Sequence, residues 1–259
     1  MDLEFAPLLQ IQRDLYRMPR GMERFRAYLR TMKGASSDDL ELPLVAMNPM
    51  GKDHVPALLD QLLELQAEDV AEAAVALARE QTKEDPGAFK VGLVVADDAH
   101  GGWTNRYASE FSHRFEERAM YKRNWIVGML WTSEAPAQTT VREETLTSIY
   151  RAAYIRRHGA ATSLASMLEQ EGQVMAMAGC VEPALAPDDL AYTRDVIAPL
   201  LDATDRATAM ACLFGDAAAT ALGYRPHGLS HRAGLALALH QASIRGSRGS
   251  TGSKGSRGA

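Results

Sequence analysis

Short apolar runs alternate with helical patterns through residues 35–159. Residues 42–47, 90–96 and 125–131 are apolar runs, and each is followed by a polar, turn-rich segment and then by a helical periodicity. Strands that alternate with helices are typical of βαβ units, whose strands form a parallel sheet. The pattern predicts an α/β fold: a small parallel three-stranded (βα)3 sheet unit with a helix-rich C-terminal half.

The rest of the chain has a helical pattern. Residues 7–33 predict two helices with a break at residues 19–21. Residues 160–243 predict at least four helices, and a further strand is open only at residues 174–180. We therefore divide the chain into an N-terminal helical arm (1–34), the α/β unit (35–159), a helical C-terminal region (160–243) and a disordered basic Gly/Ser tail (244–259).

Residues that cap helices mark four expected helix starts. Asp53 precedes a long helical pattern over residues 55–82, and Thr140 forms a capping-box pattern with Glu143. Two starts in the C-terminal region are expected at Asp188 and Thr204.

Composition and charge narrow the class of protein. The net charge is −5, yet residues 244–259 contain only basic charges, so the remaining chain is more acidic than that value suggests. An acidic body argues against a broad nucleic-acid surface. The exceptions are the tail and a stripe of arginines at helical spacing: Arg13, Arg17, Arg20 and Arg24.

Neither a membrane nor an oxidising compartment is expected. The longest apolar stretches fall far short of the roughly 20 residues that span a bilayer. Cys180 and Cys212 lack the spacing of a metal site and look like buried small hydrophobic residues. We expect a soluble, cytoplasmic protein.

The segment at residues 90–118 concentrates reactive side chains. A buried-strand pattern ends at the paired acids Asp97 and Asp98, and His100 follows. Open α/β sheets form ligand sites at the carboxyl ends of their strands. We expect Asp97 or Asp98 to act as a general base or as a ligand to a divalent metal, and His100 as the acid/base partner. No particular cofactor is indicated.

The residues around these acids suit a small anionic ligand. Lys52 offers a positive charge, and amides at helix N-termini favour an anion. The candidate ligand-binding residues are Lys52, Gly101, Gly102, Thr104, Asn105 and Arg106. The neighbouring loops would add Asn48, His54, Thr132, Ser133 and Glu134 to the same edge. Ordinary capping is the alternative, because turns between strands and helices use the same residue types.

The two adjacent acids are expected to differ in role. In an extended strand, successive side chains point to opposite sides. We expect one acid to meet a ligand or metal, and the other to cap the turn or hold His100.

The segment LVVADDAHGGWT resembles the ribose-phosphate loop of type I phosphoribosyltransferases, in which an apolar strand, two acids and a Gly-rich turn end on Thr or Ser. The resemblance implies that Asp97 and Asp98 hold ribose hydroxyls, and that Gly101, Gly102 and Thr104 hold the 5′-phosphate. The spacing between acids and glycines is shorter here, Trp103 interrupts the turn, and the resemblance covers about twelve residues. A ribose-phosphate-handling transferase is thus one alternative.

A non-enzymatic role is the alternative from another class. The Ala-rich region 160–243 contains several methionines, which suit adaptable apolar contacts, so it could form a homo-oligomer or partner interface. Two further motifs have metal-ligand spacing, but ion pairing and capping explain them better. They are Glu110, His113 and Glu117 on one predicted helix, and His227 with His231.

Overall fold

The computed structural model describes residues 1–33, 41–102, 104–116 and 119–251. The chain forms two compact units, Met1–Ala153 and Tyr154–Ala259.

The first unit contains a three-stranded parallel sheet. Its strands are β1 (Asp2–Phe5), β2 (Ala88–Ala96) and β3 (Trp125–Trp131), in that spatial order. The register pairs Phe5 with Val91 and Ala96 with Trp131. This confirms the predicted α/β class with a parallel three-stranded sheet and a high helix content. It also places β2 at the centre, as its continuous apolar pattern indicates.

The first strand was assigned to the wrong segment. Residues 42–47 contain only a short 3₁₀ helix, Leu44–Ala46, instead of a strand. Pro43 explains the difference, because proline has no N–H to donate to a sheet ladder. The strand that pairs with β2 is β1, which is four residues long and alternates between exposed and buried positions at the sheet edge.

A glutamine side chain extends the short edge strand. β1 pairs with β2 only as far as Val91, which leaves the later part of that edge of β2 without a strand. Gln12, fully buried, donates from Nε2 to the Val95 carbonyl at 2.8 Å and accepts from the Val95 amide at 2.9 Å. Both backbone groups of Val95 are thereby satisfied.

Helices pack around this sheet. The predicted break near Pro19 is present, between the first two helices. The long pattern over residues 55–82 is two helices, because Gln66 adopts a left-handed conformation with φ 55°. The helices of the first unit are α1 (Leu8–Leu15), α2 (Met22–Lys33), α3 (His54–Glu64), α4 (Ala67–Gln81), α5 (Arg106–Phe111), a π-helical turn (Ser112–Glu116) and α6 (Ala119–Lys122). The following helix, α7 (Gln138–His158), ends in the second unit.

Two predicted caps in the first unit are wrong. Asp53 occupies the N-cap position of α3, but its side chain makes no capping hydrogen bond. The helix α7 begins at Gln138, so Thr140 lies inside it and cannot form the capping box with Glu143.

The described part of the second unit consists of helices joined by loops. Its elements are α8 (Leu164–Ala178), α9 (Pro187–Ile197), a 3₁₀ turn (Ala198–Leu200), α10 (Arg206–Phe214), α11 (Asp216–Ala221) and α12 (Ala233–Thr251). The prediction of at least four helices is confirmed, and the possible strand at residues 174–180 falls mostly in α8. The expected caps are displaced: Ala186 precedes α9 without a side-chain cap, and Asp205 caps α10.

The C-terminal tail is helical in its described part. The helix α12 continues to Thr251, so the first part of the predicted disordered tail is helical, and residues 252–259 lie outside the described residues. Among the described residues, no helix combines the length and the apolar character needed to cross a bilayer.

Candidate functional site

Asp97 follows β2 directly and lies buried beneath the carboxyl edge of the sheet. Only 1 % of this residue is exposed. Its Oδ2 accepts a hydrogen bond of 2.7 Å from Asn48 Nδ2, and its Oδ1 lies 2.7 Å from His54 Nε2. The hydroxyl of Thr132, just after β3, donates to the same Oδ1 at 3.2 Å. Three segments of the chain therefore meet at one carboxylate.

The carboxylate orients the imidazole ring of His54. His54 is the first residue of α3, and its side chain keeps 20 % exposure. When Nε2–H donates to Asp97, the lone pair is on Nδ1, which has no hydrogen-bond partner among the described residues. A partly exposed histidine held by a buried carboxylate is the arrangement that general acid–base catalysis uses.

Two residues of the N-terminal helices hold the loop that carries Asn48 and His54. The Tyr16 hydroxyl donates to the Asn48 carbonyl, and Arg24 Nη1 donates to the Gly51 carbonyl at 3.4 Å. The Arg24 guanidinium also lies 5.0 Å from the Tyr16 ring centroid. Burial, with a smaller contribution from Asp97, raises the pKa of Tyr16 well above its usual value, so the phenol remains a donor. These contacts hold the backbone of the loop between Asn48 and His54 in place.

Asp98 is the acid that caps a turn. Its Oδ1 accepts from the Ser133 amide at 2.9 Å, and its Oδ2 accepts from Ser133 Oγ at 2.6 Å. Thr132 Oγ1 lies 3.0 Å from Asp98 Oδ1, so its single proton is shared between Asp97 and Asp98. With Asp98 as the capping acid, Asp97 is the acid expected to meet a ligand or metal. Asp97 is instead buried, and its carboxylate lies against His54. The predicted catalytic role of either acid stays a prediction.

His100 sits at the exposed tip of the loop after β2. It has a φ of 50°, and its ring packs edge-on against His54 with centroids 5.0 Å apart. Lys52, also exposed, donates from Nζ to the His100 carbonyl at 3.1 Å. The two histidine rings and the lysine ammonium therefore lie together on the solvent side of Asp97.

The glycines after His100 shape this loop. Gly101 has a φ of 77°, and a Cβ atom at Gly102 would lie 2.2 Å from the Asp97 carbonyl oxygen. Gly102 is thus needed for a close backbone approach. Its amide donates to the Ala99 carbonyl at 2.7 Å, so it serves the turn in this structure.

The remaining predicted ligand-binding residues have structural partners. The Thr104 amide donates to the Asp97 carbonyl at 3.2 Å, and Asn105 caps α5 by accepting from the Ala108 amide at 3.0 Å. Arg106 pairs with Glu110 at 2.8 Å and also with Glu134. Burial alone would lower the pKa of Arg106, but the two carboxylates outweigh it and raise that pKa. Their predicted ligand contacts remain predictions.

The residues that sequence reasoning undervalued are Asn48, His54 and Thr132. Each was expected to line the edge, but none was assigned a role. His54 and Asp97 are separated by 43 positions, and Asn48 and Asp97 by 49, so the contacts are invisible to motif spacing. The available signal was a histidine and a lysine in a polar loop just before a helix.

The described residues of the two metal-type motifs do not come together as a metal site. Glu110 is buried and pairs with Arg106, while Glu117 lies outside the described residues. The His227 amide donates to Asp216 at 2.9 Å, which is a structural contact of the loop before α12. In the described ranges, no three histidine, cysteine or acidic side chains come close enough to hold a metal ion.

The arginine stripe is partly used inside the fold. Arg13 forms a two-pronged ion pair with Asp60, whose second contact measures 3.0 Å, and Arg17 lies 3.3 Å from Asp14. Arg24 is buried against Tyr16. The four side chains therefore do not present one common cationic surface.

The segment resembling a phosphoribosyltransferase loop has both acids engaged. Asp97 bonds to Asn48 and His54, and Asp98 bonds to Ser133. Trp103 lies outside the described residues. This geometry does not resemble two acids open to ribose hydroxyls.

Comparisons with known proteins add no family to this picture. No protein-family model matches the chain, and no curated protein and no solved structure is significantly similar to it. The functional argument therefore depends on the contacts of the site itself.

Proposed function

We propose that the protein binds a small anionic molecule beside His54, and that His54 transfers a proton to or from that molecule. The observation that supports this best is the 2.7 Å contact between His54 Nε2 and the buried Asp97 carboxylate. Burial removes water that would compete for the carboxylate, and the bonds from Asn48 and Thr132 fix its orientation. The imidazole is thereby preorganised.

The geometry supports a transfer from the bound molecule to His54. Nδ1 takes a proton from the bound molecule, the ring becomes an imidazolium, and the Asp97 carboxylate stabilises the new positive charge. The proton then returns to the product or to water. Asp97 acts here through His54 and is a positioning residue, whereas sequence analysis expected an acid to act directly.

The charges around His54 support an anionic ligand. Lys52 is exposed, and its ammonium donates to the His100 carbonyl. This ammonium is therefore accessible beside the two histidines. The first turn of α3, which begins at His54, adds the positive end of a helix dipole. We further propose a cytoplasmic location, since Cys180 and Cys212 are both free thiols.

A thermal-shift screen tests the binding part of the proposal. The probes are inorganic phosphate, acetate and oxalate, added to the full chain and to two variants. At about 100 times its dissociation constant, a bound ligand adds roughly 2.7 kcal/mol of stability. We expect at least one probe to stabilise the wild-type protein, and Lys52→Met to remove most of that shift.

Lys83→Met is the matched control, since Lys83 is also exposed and follows the C-terminal end of α4. This control should keep the full shift. Equal shifts in both lysine variants, or no shift with any probe, would contradict the proposal.

A further inference from the structure

The amino-terminal ends of the three strands line an open cleft. It has a volume of about 330 Å³ and lies at the opposite end of the sheet from Asp97. This volume is in the range of small-ligand pockets. The lining residues that matter are Asp2, Glu4, Lys90, Arg123, Asn124 and Trp125.

The sheet register arranges these side chains in rows. Glu4 pairs with Lys90, and Lys90 pairs with Trp125, so the three residues share one row and one face of the sheet. Asp2 pairs with Ala88 two residues earlier and adds a second acid to the same face. Lys90 Nζ lies 5.9 Å from the centroid of the Trp125 ring.

Charge is separated across the cleft. Both acids stand on the edge strand β1 and are exposed, and among the described residues neither carboxylate has an ionic or hydrogen-bond partner. Lys90 lies on the central strand, and Arg123 precedes β3 on the other side. The β1 side of the cleft is therefore anionic, and Lys90 and Arg123 carry the positive charges of the lining. Trp125 is only 5 % exposed, so it adds little apolar surface.

We propose that this cleft binds a short peptide with free termini, of about three residues. Neighbouring strands are about 4.8 Å apart, so β1 and β3 are about 10 Å apart. An extended chain covers about 3.3–3.6 Å per residue, so three residues cover the same distance. The amine of the peptide faces Asp2 and Glu4, and its carboxylate faces Lys90, on the side of the cleft where Arg123 lies.

This inference is separate from the proton-transfer site. It uses none of the residues around His54, and it concerns the opposite end of the strands. Failure of one proposal therefore leaves the other unaffected.

Calorimetric titration of the full chain tests the proposal. The probes are glycyl-phenylalanyl-glycine with free termini, its N-acetyl form and its C-terminal amide. A hydrogen bond to a charged group contributes about 1.5–3 kcal/mol, so blocking either terminus should weaken binding roughly tenfold or more. We expect saturable binding of the free peptide and much weaker binding of both blocked forms.

Two variants assign the orientation of the peptide. Asp2→Asn combined with Glu4→Gln should weaken the free peptide roughly tenfold and leave the N-acetyl form unchanged, because that form has no amine to lose. Lys90→Met should also weaken binding of the free peptide roughly tenfold, because it removes a partner of the peptide carboxylate. The affinity for the C-terminal amide form should stay unchanged. Glu72→Gln, at an exposed position of α4, is the control and should bind like the wild-type protein.

Several results would overturn the inference. They are no saturable binding of the free peptide at millimolar concentrations, a blocked form that binds as well as the free one, or affinities that neither variant changes. Glu4→Gln alone, at a single exposed position, repeats the test if the double variant does not fold, which circular dichroism would reveal.

Discussion

His54 Nε2 lies 2.7 Å from Asp97 Oδ1, and this contact joins the start of α3 to the end of β2. The same carboxylate accepts from Asn48, so one buried acid connects the first crossover loop to the central strand. A buried carboxylate with several donors is costly to alter, because each donor loses its partner.

Replacing Asp97 with Asn should destabilise the first unit and impair His54. An amide has one accepting oxygen, so at least one of the donors from Asn48 and His54 would face an N–H group instead. We expect the free energy of unfolding to fall by about 1–3 kcal/mol. Urea unfolding followed by circular dichroism measures this. An unchanged midpoint would show that the contacts contribute nothing to stability.

The neighbouring change, Asp98→Asn, should separate structure from ligand binding. Among the described residues, the Asp98 side chain bonds only to the turn at Thr132 and Ser133, so we expect a loss of about 0.5–2 kcal/mol, as for a helix cap. The thermal shift produced by the binding anion should be retained. If this variant loses the shift while Asp97→Asn keeps it, the roles assigned to the two acids are reversed.

Gln12→Met should be strongly destabilising although it keeps the size of the side chain. It leaves the amide and carbonyl of Val95 without partners in a fully buried position. We expect a loss of about 2–4 kcal/mol in the free energy of unfolding, because each unsatisfied group costs about 1–3 kcal/mol. Gln10→Met is the control, since within the described part of the chain the Gln10 side chain bonds only to Asp14 on the surface. Similar losses in both variants would refute the role of Gln12.

Asp216 should contribute to stability in a pH-dependent way. Burial alone would raise its pKa, but the amides of Leu229, His227 and Gly228 outweigh this and lower it below the ordinary 3.8. A lowered pKa in the folded state means that the stabilisation is complete above the ordinary value and is lost as the pH falls through the folded value. Asp216→Asn should therefore be less stable than the wild-type protein at pH 7.

The difference between these two proteins should shrink when unfolding is measured at a pH well below the ordinary pKa of Asp216. Thermal unfolding at both pH values provides the comparison. A difference that stays constant would mean that the charge of Asp216 is irrelevant to the loop.

The central part of the sheet could be predicted from the sequence because it depends on local signals. β2 and β3 are long apolar runs followed by turn residues, and a buried parallel strand requires such runs. β1 has four residues, only two of them apolar, so its strand character comes from pairing with β2. The run at residues 42–47 is equally apolar, and its place in the core does not need a strand.

The site could be located but not assembled from the sequence. Parallel strands bring their loops to one edge, which places Asp97 after β2 near Thr132 after β3. Lys52 reaches the same edge although the run before it, residues 42–47, is not a strand. Which side chains pair at that edge depends on how closely neighbouring backbone segments approach each other, and differences of about one ångström decide it. Gly102, for example, lies so close to Asp97 that a Cβ atom would clash with the Asp97 carbonyl, and the Asp97 carboxylate contacts His54, 43 positions earlier.

The most direct test of the account is the two-dimensional ¹H–¹⁵N spectrum of the histidine rings during an anion titration. The full chain is titrated in turn with inorganic phosphate, acetate and oxalate, and His54 is assigned from the His54→Gln variant. We predict that the neutral tautomer of His54 carries its proton on Nε2, and that the signals of His54 and His100 move saturably together. The signals of exposed His240 in the second unit should stay unchanged. A proton on Nδ1 of neutral His54, or no saturable movement with any of the three anions, would contradict the account.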